Sequence, residues 1–211
     1  QQVYEQITSE NFSPEALQGS FVVARLNNSL GTLTLYTDKF ATVPAFWHQK
    51  PHSRECHISS LLSDINQDGE LSNQSLYDYV YFHMIPAPNT AYSQYQKLSA
   101  ATQLTITSQL EGTTDTYWVP HFNLKQSTSA AALSKELRIA MKNAVERCIA
   151  PNCAAFLSGG LDSSTVAGML SEIDPSQSEA YSIGFSAEGY DEMAYARITA
   201  KKFGINLHEY Y

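Results

Sequence analysis

A short run of glycine, serine and aspartate in the second half of the sequence has the composition of a phosphate-binding turn. It reads Ser158-Gly159-Gly160-Leu161-Asp162-Ser163-Ser164 and follows the apolar stretch Cys153 to Leu157. Turn glycines let backbone N–H groups approach an anion closely. The start of a following helix adds unpaired N–H groups and a partial positive charge, and the serine hydroxyls are further donors. The pattern therefore predicts a site for phosphate groups, with an ordinary strand-to-helix turn as the alternative.

Asp162 does not fit a direct role on phosphate, because like charges repel. A carboxylate at this place suits Mg²⁺ that arrives with a nucleotide. The run lacks the Gly-Lys-Ser/Thr ending of a Walker loop. Its glycine spacing also differs from that of a dinucleotide fingerprint. The run therefore indicates a nucleotide-binding loop that is neither a Walker loop nor a dinucleotide fingerprint.

Alternating strands and helices must position this loop. An amphipathic helix with apolar residues from Leu133 to Cys148 follows the capping residues Ser127-Thr128-Ser129 and ends before Pro151. Cys153 to Leu157 has the composition of a strand buried on both faces. The later elements are a helix at about Asp162 to Leu170, a strand at Ala180 to Phe185, and a helix at Glu192 to Phe203 with Gly204 after it. This order predicts an α/β fold with a doubly wound parallel sheet.

The first half has a different, strand-rich texture from Gly19 to Trp118. Alternation predicts a hairpin and two further short strands, and a short helix precedes a pair of prolines. The segments are Phe21 to Leu26, Thr32 to Thr37, His57 to Ser59, Gln103 to Ile106 and the helix Asn73 to Phe82. We place a domain boundary in the polar stretch 119–128, which gives domains 1–122 and 123–211.

The loop and its surroundings resemble the asparagine synthetases and their relatives, the β-lactam synthetases and lasso-peptide cyclases. Beyond the loop, the matching residues are Tyr181-Ser182-Ile183-Gly184-Phe185, Tyr190-Asp191-Glu192, Tyr195-Ala196-Arg197, Ala200 and His208-Glu209. Upstream, Thr37-Asp38-Lys39-Phe40 through Pro44-Ala45-Phe46-Trp47 is similar to the end of the family's glutaminase domain, and Tyr92 to Leu98 and Tyr117-Trp118 are similar to its connection. The resemblance covers nearly the whole chain and is strongest from 153 to 209.

The resemblance implies a β-rich glutaminase domain of Ntn-hydrolase type, followed by an ATP-pyrophosphatase domain like the adenine nucleotide alpha hydrolases. It implies ATP and Mg²⁺ as cofactors, and a carboxylate such as aspartate together with glutamine or another amine as small-molecule partners. By the same resemblance, pyrophosphate is held by Ser158, Gly159, Gly160, Ser163 and Ser164. Asp162 binds Mg²⁺, and the backbones of Leu157 and Ile183 frame adenine.

The sequence also departs from the family pattern. The family's glutaminase relies on a cysteine at its mature N-terminus, whereas position 1 here is Gln1 and none of the three cysteines lies near it, so either the front of the protein is missing or the activity is lost. The usual Arg-Asp reads Thr37-Asp38, and a usual glycine is Ala41. The catalytic acid/base residues and a late lysine have no counterpart, so no catalytic residue is assigned. We expect an internal piece of a longer protein, cut short at its C-terminus. Two alternatives stay open: a ligase that uses an internal amine, and a degenerate scaffold protein.

Several other charged or metal-binding residue types have plainer readings. A zinc site is disfavoured, since Pro51 and the strand after it break the helical spacing of His48, His52, Cys56 and His57. Acidic residues at the start of the last helix are expected to cap it, and basic residues along it to form a solvated face. The acidic residues are Asp191 and Glu192; the basic residues are Arg197, Lys201 and Lys202.

Composition excludes some function classes. The formal net charge of −8 argues against a nucleic-acid surface. No apolar run approaches the roughly 20 residues that a membrane span needs. The three cysteines form no CxxC pair and no even framework, which is typical of reduced thiols in a cytoplasmic protein. We therefore expect a cytoplasmic protein without nucleic-acid or membrane partners, and a homodimer stays open.

Overall fold

The structure is a computed structural model that describes residues 2–9, 11–50, 53, 55–65, 68–122, 128–186 and 191–211. The chain divides into two compact units, Gln1–Phe122 and Asn123–Tyr211. Three residues named above lie outside the described residues: Ser127, one of the proposed helix caps, His52 and Tyr190.

The first unit contains two antiparallel sheets and several short helices. The elements are α1 (Gln2–Thr8), a 3₁₀ turn (Pro14–Ala16), β1 (Val22–Asn27), β2 (Thr32–Thr37), β3 (Phe46–Gln49), β4 (Cys56–Ser59), α2 (Leu62–Ile65), α3 (Asn73–Phe82), β5 (Gln96–Lys97), β6 (Thr102–Ile106) and β7 (Gly112–Thr116). One sheet has the order β1-β2-β6-β7 and the other the order β4-β3-β5. All strand pairs in both sheets are antiparallel.

The larger sheet is covered on both faces, because successive side chains of a strand point to opposite sides. Leu35 of β2 pairs with Leu104 of β6, and both belong to one buried cluster with Ala45, Leu98 and Ile106. Tyr36, the next residue, pairs with Val23 and belongs to a separate cluster with Leu17. The predicted hairpin is thus present, and its second strand is buried from both sides.

Asp38 is a buried carboxylate that organises the turn after β2. It is 1% exposed and accepts hydrogen bonds from the N–H groups of Phe21, Phe40 and Thr42 and from the Thr42 hydroxyl. Burial pushes the pKa of Asp38 upward, but the bonds from Thr42, Phe40 and Phe21 outweigh it and hold the pKa below its ordinary value. Ala41, in the same turn, has φ 49°, a conformation in which glycine is the usual residue.

The second unit alternates helices and parallel strands. Its elements are α4 (Ala130–Glu146), β8 (Ala155–Phe156), α5 (Leu161–Ile173), a 3₁₀ turn (Pro175–Gln177), β9 (Glu179–Ile183), α6 (Met193–Phe203) and β10 (Asn206–Tyr210). The sheet has the order β10-β9-β8, and both strand pairs are parallel. Ser129 caps α4 through a hydrogen bond from Ala132 N–H. Gly204 ends α6 with φ 67°, as predicted from its place in the sequence.

Two expectations for this unit are wrong. The long helix ends at Glu146, so Cys148 lies outside it. The strand before the loop is not buried on both faces: Ala155 is buried, but Phe156 is 82% exposed. The reason is that α5 and α6 pack on one side of the sheet, against Ala155, Leu157 and Ala180. Phe156 points to the opposite side, where Ile183 and Tyr210 are also exposed.

Candidate functional site

The glycine-rich loop lies where the sequence predicts, between a parallel strand and a helix. Leu157 is 1% exposed, and its N–H donates to the carbonyl of Tyr181 at 2.9 Å, so sheet pairing continues to the edge of the loop. Helix α5 begins at Leu161, directly after Gly160. The loop is therefore at the carboxyl edge of the sheet, facing the N–H groups of a helix start. This is the arrangement that binds anions in open α/β sheets.

The two glycines of the loop differ in backbone conformation and in packing. Gly159 has φ 90°, and a Cβ there would lie 2.5 Å from Tyr195 Cβ and 2.6 Å from Ala196 N. The loop is thus packed directly against the first turns of α6. Gly160 has φ −67°, and its Cβ would meet only Ser158 Oγ, at 3.5 Å. Its conformation and its packing against the described residues therefore do not require glycine at Gly160.

Two serine hydroxyls form the inner lining of the turn. Ser163 Oγ lies 3.0 Å from Ser158 Oγ and accepts a hydrogen bond from Ser158 N–H at 3.2 Å. Ser158 Oγ in turn accepts from Gly160 N–H at 3.3 Å. These bonds are long and lie in an exposed part of the chain, so an anion can replace the hydroxyls as the acceptor. These two hydroxyls and two N–H groups thus form one hydrogen-bonded network, in which the Ser163 hydroxyl also donates to the Gly160 carbonyl at 3.3 Å.

Ser164 lies apart from this group. Its hydroxyl is 3.1 Å from Thr199 Oγ1, and its N–H donates to the carbonyl of Gly160 at 3.1 Å. The first contact joins α5 to α6. The structure therefore brings Ser158, Gly160 and Ser163 together but directs the side chain of Ser164 toward the neighbouring helix.

Asp162 occupies the first turn of α5 and is exposed. A carboxylate there is favourable to the helix even without a ligand, because it faces the positive end of the helix dipole. Among the described residues, no group of three or more histidine, cysteine, aspartate or glutamate side chains is arranged to hold a metal ion. One exposed carboxylate beside a phosphate-type turn suits Mg²⁺ that is bound mainly by phosphate oxygens, and does not suit a resident metal.

The residues predicted to frame adenine lie at the same edge of the sheet. Leu157 follows β8 and Ile183 ends β9, where it pairs with Tyr210 of β10. Because the Leu157 N–H is engaged by Tyr181, a base would have to use the Leu157 carbonyl oxygen. Gly184, the next residue after Ile183, donates its N–H to Tyr210 at 2.7 Å and packs against the ring of Tyr211.

Arg197 has a role that the sequence reading missed. Its side chain is exposed, as expected for a solvated basic face, but the guanidinium also forms a bidentate ion pair with Glu209 and donates to the Tyr211 hydroxyl at 3.0 Å. Hydrogen bonds from Arg197 lower the pKa of Glu209 below its ordinary value. The sequence contains no direct signal for this ion pair beyond the presence of an acidic residue at Glu209. Glu209 lies on β10, which the fold brings beside α6 when β10 pairs with β9.

The acidic start of α6 behaves largely as expected. Asp191 accepts a hydrogen bond from Met193 N–H at 3.2 Å, which satisfies a free donor of the first turn. Glu192 is at the N-cap place without a side-chain bond to the helix. The helix end therefore explains the carboxylate of Asp191 through a hydrogen bond, and Glu192 only through its place at the positive end of the helix.

The histidines of the first unit lie on a small sheet. His48 and His57 are directly paired on β3 and β4 and line a cleft of about 260 Å³ with Lys50 and Asp68. His48 Nδ1 lies 2.8 Å from the Gln94 carbonyl, and His57 Nε2 lies 3.6 Å from Glu55. His48 and His57 lie on strands and not on a helix, as predicted from Pro51 and the strand-like run after it.

No helix in the described part of the chain is long and apolar enough to cross a membrane.

Two family models match the chain. The model described as a glutamine amidotransferase domain matches residues 2–118, and the model described as asparagine synthase matches residues 136–211. Similar curated proteins carry related names. The chain is 33% identical over 141 residues to "Asparagine synthetase [glutamine-hydrolyzing] 1" of Bacillus subtilis (strain 168), covering 65% of this chain and 22% of that protein.

Two further relatives extend the similarity along the chain. "Putative asparagine synthetase [glutamine-hydrolyzing] 2" of Methanocaldococcus jannaschii is 31% identical over 154 residues, covering 71% of this chain and 30% of that protein. "Putative asparagine synthetase [glutamine-hydrolyzing]" of Mycobacterium tuberculosis is 24% identical over 201 residues, covering 90% of this chain and 30% of that protein. The chain thus spans between 22% and 30% of the length of these relatives. With a glutamine amidotransferase match over more than half of its length and an asparagine synthase match over the glycine-rich loop, the chain belongs to the asparagine synthetase family.

Proposed function

We propose that the protein takes part in ATP-dependent amide-bond formation of the asparagine synthetase type. In this reaction ATP adenylates a carboxylate such as aspartate, pyrophosphate leaves, and ammonia derived from glutamine attacks the activated carbonyl. The observation that carries the proposal is the turn at Ser158 to Ser163, in which two hydroxyls and two N–H groups lie within hydrogen-bonding distance of one another at the start of a helix. Family membership supplies the reaction class.

In this proposal the loop binds the two phosphates that leave. The N–H groups of Ser158 and Gly160 and the hydroxyls of Ser158 and Ser163 turn from each other to the pyrophosphate oxygens. A Cβ at Gly160 would be free of clashes with the residues that the structure describes, so we infer that glycine is needed there to let a phosphate approach the backbone. Donors that are already in place stabilise the charge that develops on the leaving group, because they need little reorganisation.

The remaining predicted residues have supporting roles. Asp162 would hold Mg²⁺ on the phosphates, and the ion supplies neutralisation of the leaving group's charge. Leu157 and Ile183 would border adenine at the sheet edge. We propose that Ser164 holds the loop in place and does not bind phosphate through its side chain, since its hydroxyl contacts Thr199.

We further propose that the first unit has the Ntn-hydrolase type of fold and the second the ATP-pyrophosphatase type. Support comes from the antiparallel sheet covered on both faces in the first unit and the parallel strand–loop–helix order in the second. Small molecules are then the partners: ATP, a carboxylate and glutamine or another amine. We propose a cytoplasmic location, as the composition suggests.

The test uses the gene product as the cell makes it, supplied with Mg²⁺·ATP, aspartate and glutamine. Asparagine, AMP and pyrophosphate should appear in equal amounts, and Gly160→Ala should abolish all three while leaving the protein folded. AMP and pyrophosphate formation with another carboxylate, and no asparagine, would favour a ligase that uses an internal amine. A folded protein that neither binds ATP nor exchanges pyrophosphate would reject the proposal and favour a scaffold.

A further inference from the structure

The guanidinium group of Arg197 fixes helix α6 to the end of strand β10. Its Nε donates to Glu209 Oε1 at 2.8 Å, and its Nη2 donates to the other carboxylate oxygen and to the Tyr211 hydroxyl. A planar fork on a carboxylate fixes orientation as well as distance. The side chains of Arg197 and Glu209 keep 53% and 29% of their accessible surface. An ion pair this exposed contributes little to the free energy of unfolding, so its geometry is the more informative property.

The helix that carries Arg197, α6, also contacts the glycine-rich loop. Tyr195 and Ala196, immediately before Arg197, form the surface against which Gly159 packs so closely that a Cβ would clash. One helical turn away from them, Thr199 contacts the hydroxyl of Ser164. Any shift of α6 must therefore move the loop or open a gap beside Gly159.

The ion pair itself reaches the strand edge where adenine is predicted. Tyr211 accepts from Arg197, and its ring covers Gly184, where even a methyl group would collide with it. Gly184 follows Ile183 and is tied to Tyr210 by its N–H. Helix α6 therefore carries contacts with the loop through the neighbours of Arg197, while Arg197 itself contacts Tyr211 at the edge where adenine is predicted.

We propose that Arg197 is a positioning residue that sets the spacing between the pyrophosphate loop and the adenine edge. The inference rests on the proposed function, because it concerns the same nucleotide site. A nucleotide must reach both places at once, with the ribose between them. Correct spacing therefore matters for the whole nucleotide, whereas pyrophosphate uses only the loop and adenosine uses only the strand edge.

The experiment compares ligands that span the site with ligands that do not. Calorimetry on the chain measures the Kd of Mg²⁺·ATP, Mg²⁺·pyrophosphate and adenosine for the unmodified protein and for Arg197→Gln. Lys201→Gln is the matched control, since it removes the same charge from an exposed residue in the last turn of the same helix. Circular dichroism verifies that each variant is folded.

We expect Arg197→Gln to weaken ATP binding about tenfold and pyrophosphate or adenosine binding less than about twofold. Lys201→Gln should leave all three unchanged. Exchanging the charges, with Arg197→Glu and Glu209→Arg together, should restore part of the ATP affinity. Equal losses for ATP and pyrophosphate would overturn the proposal, because they indicate general damage to the fold, and so would an unchanged ATP affinity.

A second measurement separates failure of this inference from failure of the proposed function. If the unmodified chain binds none of the three ligands, the proposed function fails, but Arg197 can still be tested by amide hydrogen exchange. Faster exchange at both Gly160 and Gly184 in Arg197→Gln than in Lys201→Gln would support the positioning role. Equal exchange in the two variants would overturn it.

Discussion

The two neighbouring glycines of the loop are expected to respond in opposite ways to the same small change. In Gly159→Ala the new methyl group would lie 2.5 Å from Tyr195 Cβ and 2.6 Å from Ala196 N, at φ 90°. Unfavourable backbone conformation costs about 1–3 kcal/mol, and overpacking costs a further ~1–3 kcal/mol. We therefore expect Gly159→Ala to lower the free energy of unfolding by about 2–6 kcal/mol.

Gly160→Ala is the matched control for stability. Its methyl group would have its nearest neighbour at 3.5 Å, an ordinary contact, and φ is −67°. Loss of a tolerated N-cap residue and reduced entropy of the unfolded chain oppose each other, so the change should stay within about 1 kcal/mol. The same methyl group would, however, occupy the space through which a phosphate approaches the backbone. Gly160→Ala should thus keep stability and lose pyrophosphate affinity.

Urea unfolding followed by circular dichroism measures the first quantity, and calorimetric titration with Mg²⁺·pyrophosphate measures the second. If Gly159→Ala were as stable as Gly160→Ala, the close packing of the loop on α6 would be refuted. If Gly160→Ala bound pyrophosphate normally, the argument that this glycine serves the ligand would be refuted.

Three further changes test other parts of the account. Asp38→Asn should lower the free energy of unfolding by about 2–4 kcal/mol at neutral pH, because an amide cannot accept all the bonds of the buried carboxylate. Since folding lowers the pKa of Asp38, its contribution is present above about pH 4 and is lost as the pH falls through the folded value, so urea midpoints of the two proteins should converge in acid. Ser163→Ala should weaken pyrophosphate binding by about tenfold, whereas Ser164→Ala should mainly cost stability, about 0.5–1.5 kcal/mol, and match Thr199→Ala in both assays. Ala41→Gly should raise the free energy of unfolding by about 0.5–1 kcal/mol, and with it the thermal midpoint, because Ala41 has φ 49°. An unchanged or lower midpoint would contradict a strained backbone at this position.

Local elements were predictable because their signals are contained within them. Strand Thr32–Thr37 and helix Asn73–Phe82 match the sequence prediction residue for residue. The helix has its own start signal, since the Ser72 hydroxyl accepts from Ser75 N–H. The loop at Ser158 was predictable for the same reason: a strand, a glycine turn and a helix start follow one another directly.

Features that depend on distant partners were not predictable. Strand β7, Gly112–Thr116, has no apolar alternation and exists because it pairs with β6 along its whole length. The exposed side of Phe156 was missed, because the sequence does not show which face of the sheet the helices cover. Arg197 is exposed as expected, but its ion pair with Glu209 was missed, because only the fold places the two residues side by side.

The same distinction applies within the site. The grouping of Ser158, Gly160 and Ser163 follows from the turn itself and from the first turn of α5. The contact between Ser164 and Thr199 depends on how α6 crosses α5, so no local pattern contains it. The sequence therefore locates the glycine-rich loop, and the structure separates the residues that bond to one another within it from Ser164, which contacts the neighbouring helix.

The most direct test of the central claim is a calorimetric titration of the chain with Mg²⁺·ATP, followed by displacement with pyrophosphate. We expect saturable binding, displacement by pyrophosphate, and a clear loss of affinity in both Gly160→Ala and Asp162→Ala while circular dichroism shows both variants folded. Binding that neither substitution affects, or no saturable binding by the folded chain, would contradict the assignment of this loop as the ATP site.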